Sequence, residues 1–332
     1  METVTPLTPK EQYSQWCLQQ PAMPVFMQPW WMDAVCAGKQ WDVMLYKNPR
    51  TDVILAALPY LIRKRYGMRY IIMPQMTQIG GVWFDHTLCN NDGSVWDKET
   101  EEQIYNYFTQ QLQNLKLDYY YQQYPLNSVA PQGMRKQGFT VKERVTYRLE
   151  DLTDLDAVIE KFSRNKKRQL QKALSLHAEK GLTAEEFYRW HEQCLKEKNK
   201  KISYSREFLL VLERKSKRQN QSEIIGIYNA DNELYAAAYV VWDNIAMHYL
   251  IAAQDEKHEK SGAMALLVLE CIKLAREKKV VFDFEGSMIQ GVAAHFKQFG
   301  AMPATYYSVQ RYYHWWMRIP LFFYHIFTFR QR

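Results

Sequence analysis

The sequence predicts a mixed α/β (α+β) protein of two domains, with mostly antiparallel sheets flanked by helices. Three observations predict it. The chain has 332 residues, about twice the ~150 used as a soft prior for one domain. Its second half reads as helix, helix, β-meander, helix, strand, helix, strand, and its first half as a weaker version of that series, so a structural duplication is expected. Glycine is scarce, with 13 residues against a typical ~7%. No GxGxxG, Walker loop, GxSxG or HExxH occurs, which sets aside the folds and chemistries those motifs carry.

Each element has a local reason. Thr8 to Leu18 reads as a short helix broken by Pro21 and Pro24, and Pro29 suits the first turn of a second helix. Trp41 to Tyr46 and Asp52 to Ile62 read as strands joined by the turn-rich 47–51, with Pro59 marking an edge or bulge. Arg69 to Met73 is a third strand, followed by the run 74–81 with two adjacent glycines. Asp97 to Leu115 places Ile104, Tyr107, Phe108, Leu112 and Leu115 on one helical face. Lys116–Gln122 and Phe139–Leu149 are strands.

Asp151 begins a helix that is expected to run until Gly181 caps it. Thr183 and Glu186 form a capping-box pattern before helices at Ala184–Lys198 and Ser205–Arg218. Glu223–Asn229, Glu233–Trp242 and Ile245–Ala253 make the meander. A helix at Gly262–Lys278, a buried strand at Val280–Phe284, a helix at Gly291–Phe299 and a strand at Thr305–Arg311 complete the series. The expected division is 1–150, 151–311 and a tail, 312–332.

Hydrophobic residues at 47% and charged residues at 24% argue against disorder. The net charge of +7 is uneven: residues 1–150 hold 15 Lys/Arg and 14 Asp/Glu, residues 151–332 hold 28 and 22. The second half therefore carries the interaction that the charge reports. No window has the ~18 apolar residues of a membrane span, and Met1–Lys10 lacks a signal-peptide pattern. The cysteines, 17, 36, 89, 194 and 271, lack any CxxC, which disfavours a disulfide framework and a cysteine zinc site. Neither they nor the eight histidines show metal-ligand spacing. The chain is expected in the cytoplasm, with the inner face of the membrane as a second location.

Several segments offer chemistry. In Val280–Ser287, alternation places Phe282 and Phe284 on one strand face and Asp283 and Glu285 on the other. Two carboxylates at a strand end suit a base or an orienter of an amine; the competing reading pairs one of them with Arg or Lys to organise the core. Lys260, Ser261, Gly262 and Ala263 lead into a helix, where N–H groups hold phosphate; small residues also cap helices for structural reasons alone. Run 161–172 holds six basic residues and no acidic one. Arg164, Lys167 and Arg168 share a side with Lys172 a turn beyond, as a solvated face or as a clamp for a phosphorylated substrate or RNA. The tail is dense in Trp, Tyr, Phe and Arg. It suits peripheral membrane contact or a plug folded back on the protein.

Three stretches resemble the GNAT-type acyltransferases, specifically the bacterial FemAB-like group. They are Ser163–Ala173, similar to that family's basic helix; the meander with Gly262 and its helix; and Asp283-Phe284-Glu285-Gly286-Ser287 with Phe296-Lys297-Gln298-Phe299-Gly300-Ala301, similar to D-F-x-G-S and F-K-x-F-G-A. Residues 26–31 and 74–81 are compatible with the family's N-terminal domain. The resemblance implies tandem GNAT-like domains meeting at a cleft, and metal-free transfer of an acyl or aminoacyl group to an amine of a cell-envelope precursor or small molecule. It implies a donor, acyl-CoA or aminoacyl-tRNA, where Ile245–Ala253 and Val280–Phe284 splay apart, with no tightly bound cofactor. Backbone around Ala252 would hold the donor carbonyl, and Lys260 to Ala263 its pyrophosphate. Of the usual R/Q-x-x-G-x-G/A loop only Gly262 is matched. The expected roles are a base at Glu285 or Asp283, Tyr249 within the donor strand, and a proton for the leaving group from Tyr306 or Tyr307. Arg164, Arg168, Lys172 and Ser287 would hold the substrate. Two other classes stay open: a non-catalytic GNAT-like protein binding an anionic glycan precursor or RNA, and a membrane-surface scaffold.

Overall fold

The computed structural model describes residues 6–36, 40–90, 95, 97–126, 128–286 and 290–315. They divide into two units. The first takes the described residues of 1–21, 26–144 and 306–332, and the second takes 22–25 and those of 145–305. The division falls at Arg144/Val145, and the chain returns to the first unit at Tyr306.

In the first unit, α1 (Pro9–Cys17) starts with a full Thr8–Glu11 capping box and buries Tyr13 and Trp16; α2 (Pro29–Val35) starts on its proline. β1 (Asp42–Lys47), β2 (Ile54–Tyr60) and β5 (Trp83–Phe84) form an antiparallel sheet. The single strand expected over Asp52–Ile62 is two: β2 ends at Tyr60, and β3 (Ile62–Arg65) pairs with β4 (Met68–Ile71) as a hairpin. Tyr66 and Gly67 both have positive φ, 50° and 77°, which closes a two-residue turn. β4 pairs in parallel with β6 (Tyr119–Tyr124), and β6 pairs antiparallel with β13 (Met302–Tyr312). α3 (Lys98–Asn114) and α4 (Ala130–Lys136), a helix absent from the sequence reading, bury Ile104, Phe108, Leu112 and Met134. β7 (Thr140–Leu149) begins in this unit and ends in the second.

The second unit opens with two helices where one was expected. α5 (Leu155–Glu160) stops before Ser163, whose side chain caps α6 (Arg164–Lys172). Gly181 therefore does not end a helix; it follows a short strand, β8 (His177–Lys180), that pairs with β9 (Ser222–Tyr228). α7 (Ala184–Glu197) starts on the Thr183–Glu186 capping box, and α8 (Arg206–Arg218) follows. β9, β10 (Leu234–Trp242) and β11 (Ala246–Gln254) are the expected meander. A parallel neighbour requires a crossover, and α9 (Ala263–Lys278) supplies it between β11 and β12 (Val281–Asp283). β12 also pairs antiparallel with β7 through Leu149 and Arg148. α10 (Gln290–Lys297) completes the unit. α9 is apolar nearly all round because it is buried by β9, β10, β11 and β12. Phe282, Phe284, Phe296 and Phe299 fill the core beside it.

Among the described residues no helix is long and apolar enough to cross a membrane. Among the described residues none of the five cysteines forms a disulfide.

Candidate active site

The parallel strands β11 and β12 share only three paired positions, Ala246 with Val281, Met247 with Phe282 and His248 with Asp283. β12 then ends, while β11 continues to Gln254. The register of β10 against β11 slips at the same level: Tyr239 faces Ile251 and Val240 faces Tyr249, which leaves Leu250 extra. This is a β-bulge, a device that bends a strand and re-aims its groups.

The end of β12 is folded by its own polar groups. Asp283 Oδ1 accepts the Thr146 hydroxyl and the Glu285 N–H at 2.8 Å. The Thr146 oxygen accepts the Gly286 N–H at 2.8 Å. Asp283 Oδ2 lies 3.4 Å from Arg148 Nε, and Arg148 reaches Glu150 at 3.3 Å. Gly286 is pressed on β7: a Cβ there would lie 2.0 Å from the Val145 carbonyl oxygen. Glu285 has φ 55°, a left-handed conformation that costs a non-glycine residue about 1–2 kcal/mol. Both residues keep the turn tight, and the alternation expected to continue through Glu285 stops at Asp283.

The turn carries the Glu285 carboxylate onto His248, with Oε1 3.1 Å from Nδ1; their side chains are only 5% and 9% exposed. On the other ring nitrogen, Nε2, Asp243 Oδ2 lies 3.6 Å away. Asp243 is fixed in turn by the N–H groups of Ile245 at 2.8 Å, Ala246 at 2.9 Å and Val25 at 2.9 Å. Burial works against a charged imidazole, yet hydrogen bonds and charge from Asp243 and Glu285 outweigh it and raise His248 to about 10. Burial also works against the Asp243 carboxylate, and the His248 and backbone hydrogen bonds outweigh it and hold it below its ordinary value. Asp243 and Glu285 thus flank the two ring nitrogens of one buried imidazole.

The expected residues separate on this frame. Glu285 and Asp283 lie two residues apart, but Asp283 builds the turn and Glu285 faces His248. Tyr249 stands next to His248, with its hydroxyl 3.4 Å from Met264 Sδ and its ring against Phe282 and Phe284. Burial pushes that phenol well up, and the ring packs on the phenylalanines of the strand end. Ala252 lies further along β11, opposite Ala238. Tyr306 belongs to the first unit, where its hydroxyl donates to Gln123 at 3.3 Å; Tyr307 pairs with Tyr124 in the same unit. Ser287 and residues 316–332 of the tail lie outside the described residues.

The start of α9 is closed by its own contacts. The Ser261 hydroxyl donates to the His258 carbonyl at 2.6 Å and accepts the Ala263 N–H at 3.1 Å. Ala263 is fully buried, and Lys260 is exposed. Gly262 has φ 87°, and a Cβ there would lie 2.0 Å from the Gln169 carbonyl oxygen of α6. The last turn of α6 therefore sits on this loop. Arg164, Arg168 and Lys172 are exposed on α6. Lys166 points inward, 3% exposed, with Nζ 3.1 Å from Gln169 Oε1, 3.4 Å from His295 Nδ1 and 4.7 Å from the Phe299 ring centre. Burial lowers Lys166 to about 8, and burial with the nearby Lys166 lowers His295 to about 4.

Sequence reasoning missed His248, Asp243 and Thr146 as members of the site. Asp243 and His248 flank a short turn five residues apart, a spacing with no signature of its own. The pairing of His248 with Asp283 exists only after α9 has crossed over.

Comparison with known proteins agrees with this frame. Residues 160–298 match the family model described as an acetyltransferase (GNAT) domain. No curated protein matches the sequence. Among solved structures, FemX is similar with a TM-score of 0.66 at 11% identity, over 91% of this chain and 96% of that one. The C-terminal domain (DUF2156) of a putative lysylphosphatidylglycerol synthetase from Agrobacterium fabrum has a TM-score of 0.56 at 11% identity, over 91% and 92%. A tandem GNAT protein from the clavulanic acid biosynthesis pathway has a TM-score of 0.53 at 8% identity, over 91% and 94%. Residues 160–298 thus match a GNAT domain model, and the chain shares the fold of FemX and of the tandem GNAT protein.

Proposed function

We propose that the chain is an N-acyltransferase that moves an aminoacyl group from an aminoacyl-tRNA to an amine, with the reaction at the splay of β11 and β12. The observation that carries this reading is the buried His248–Glu285 pair, 3.1 Å apart, at the point where the two strands part. The amine arrives as an ammonium ion and meets the carboxylate of Glu285 beside His248. Glu285 takes its proton, and His248, held charged, orients that carboxylate. The free amine attacks the donor carbonyl; as the tetrahedral intermediate collapses, the ester C–O bond breaks, the tRNA ribose oxygen leaves with the proton that Glu285 took, and the new amide nitrogen gives its surplus proton to Glu285. The edge of β11 beyond His248, which no strand covers on that side among the described residues, offers backbone N–H groups to the oxyanion. Asp283 positions Glu285 through the turn and does not meet the substrate.

The choice of donor rests on the start of α9. A CoA pyrophosphate would need the N–H groups there, but Ser261 takes the Ala263 N–H and the Gln169 carbonyl crowds Gly262. An acyl ester on the end of an RNA has no pyrophosphate to place in that loop. The exposed Arg164, Arg168 and Lys172 on α6, whose Gln169 touches Gly262, supply charge for its backbone phosphates. The resemblance to the FemAB-like group, which implies an acyl-CoA or aminoacyl-tRNA donor, makes charged tRNA the first donor to test.

The test supplies purified protein with charged tRNA or with acyl-CoA and a panel of primary amines. Transfer from charged tRNA, lost in Glu285→Gln, is expected. Transfer from acyl-CoA alone would overturn the donor reading, and full activity in Glu285→Gln would overturn the site.

A further inference from the structure

The β3–β4 hairpin of the first unit has no role in the site above. Residues 53–84 hold four basic side chains, Arg63, Lys64, Arg65 and Arg69, and no acidic one. Register sets Lys64 directly opposite Arg69, and like charges facing across a strand pair destabilise it. The Arg69 Nε is buried with no hydrogen-bond partner among the described residues. At the tip, Tyr66 takes a left-handed φ of 50° that favours Asn or Gly, yet its ring is 84% exposed with the Arg65 guanidinium 5.0 Å over it. A ring so placed contributes nothing to the core. The facing cations and the left-handed tyrosine cost the fold stability, and the exposed Arg65–Tyr66 contact returns little of it.

The position of the hairpin suggests its use. Tyr70, Tyr119 and Tyr312 lie in one row across β4, β6 and β13. One residue beyond that row, Asp118 accepts the Arg69 N–H at 2.7 Å and, through its carbonyl, the Tyr313 N–H at 3.0 Å; its carboxylate lies 3.5 Å from His314 Nε2. The chain therefore leaves β13 at the same end of the sheet as the hairpin tip. Trp315, 78% exposed, stands at that exit, and the sequence of 316–332 has no Asp or Glu.

We propose that this end of the first unit's sheet docks on an anionic lipid surface. Lys64, Arg65 and Arg69 meet headgroup phosphates, and the rings of Tyr66 and Trp315 enter the interfacial layer, where aromatic residues are favoured. Exposed rings at protruding tips with cations behind them suit a flat headgroup layer. Single-stranded RNA instead asks for rings lining a basic groove.

The experiment is flotation of the full chain with vesicles of phosphatidylcholine, with and without phosphatidylglycerol, beside a tRNA-binding measurement. Binding only to the anionic vesicles, and its loss at high salt, is expected. Lys64→Gln with Arg65→Gln should weaken vesicle binding about thirtyfold, from the usual attraction per basic residue. Tyr66→Asn, which suits the turn, should weaken it several-fold with an unchanged or higher melting temperature, so that loss of folding is not the cause. Vesicle binding equal to wild type in both variants overturns the proposal. So does an absence of vesicle binding alongside tRNA binding that depends on the hairpin. Neither result bears on transfer at Glu285, which is assayed without lipid.

Discussion

Glu285→Gln tests the buried pair most directly, because it removes a charge without changing shape. Burial works against the imidazolium of His248, and Asp243 and Glu285 together still raise it to about 10. The unfolded reference is about 6.5. A group raised on folding contributes stability that is fully present below its unfolded pKa and is lost as pH rises through its folded one. The wild type should therefore lose this contribution progressively between about 6.5 and about 10. With Gln at 285, Asp243 is left as the facing carboxylate, 3.6 Å away. A hydrogen bond to a charged group is worth about 1.5–3 kcal/mol, so about 2 kcal/mol should go at neutral pH. The alkaline limb of stability should also move down toward neutral. Urea titrations followed by tryptophan fluorescence across this range measure both. The transfer rate should fall by about 10²–10⁴, the usual worth of a positioned proton acceptor. An alkaline limb that stays in place would refute the coupling of Glu285 to His248. A rate within a few-fold of wild type would refute its part in the chemistry.

Other outcomes follow from the same geometry. Glu285→Gly should be more stable than Glu285→Ala by about 1 kcal/mol, because φ is 55° there; equal stabilities in denaturant would show that the turn relaxes. Thr146→Val removes the hydroxyl shared by Asp283 and Gly286 and should cost about 2–3 kcal/mol. It should also lower the turnover number with little change in KM, although Thr146 meets no substrate. Gly262→Ala should cost about 3 kcal/mol or more, since the new methyl meets the Gln169 carbonyl at 2.0 Å; a thermal melt measures it. Lys166 is lowered to about 8 by burial, so its charge destabilises the fold below that pH, and the penalty lifts as pH rises toward about 10.4. Lys166→Met should stabilise the protein at pH 7 by about 1–3 kcal/mol and abolish that rise, read from urea midpoints at the two pH values.

The fold was legible where local chemistry acts alone. Thr183 with Glu186 marks a helix start, and Asp243-Asn244 marks the turn between β10 and β11, because capping and turn formation involve residues a few positions apart. The break at Ser163 was missed because the basic run is helix-compatible on both sides of it; its side chain caps the Lys166 N–H and its own N–H donates to the distant Gln298 carbonyl at 2.8 Å, which separates α5 from α6. The hairpin at Tyr66 was missed because an aromatic residue at a left-handed turn position runs against preference. β8 was missed because its four residues are exposed and polar, and β9 alone makes them a strand.

By itself the sequence determined the tandem α/β plan, the position of the carboxylate pair at the end of a buried strand and the basic helix before it. These follow from periodicity, alternation and local charge. Only the tertiary structure decided which carboxylate faces the site. Asp283 and Glu285 look equivalent as letters in a strand, but Thr146, 137 residues away from Asp283, closes a turn that gives Asp283 a structural duty and swings Glu285 onto His248. Alternation holds only while a strand stays extended. Where the ladder between β11 and β12 ends, long-range hydrogen bonds set the direction of each side chain, and one chain's local pattern carries no record of them.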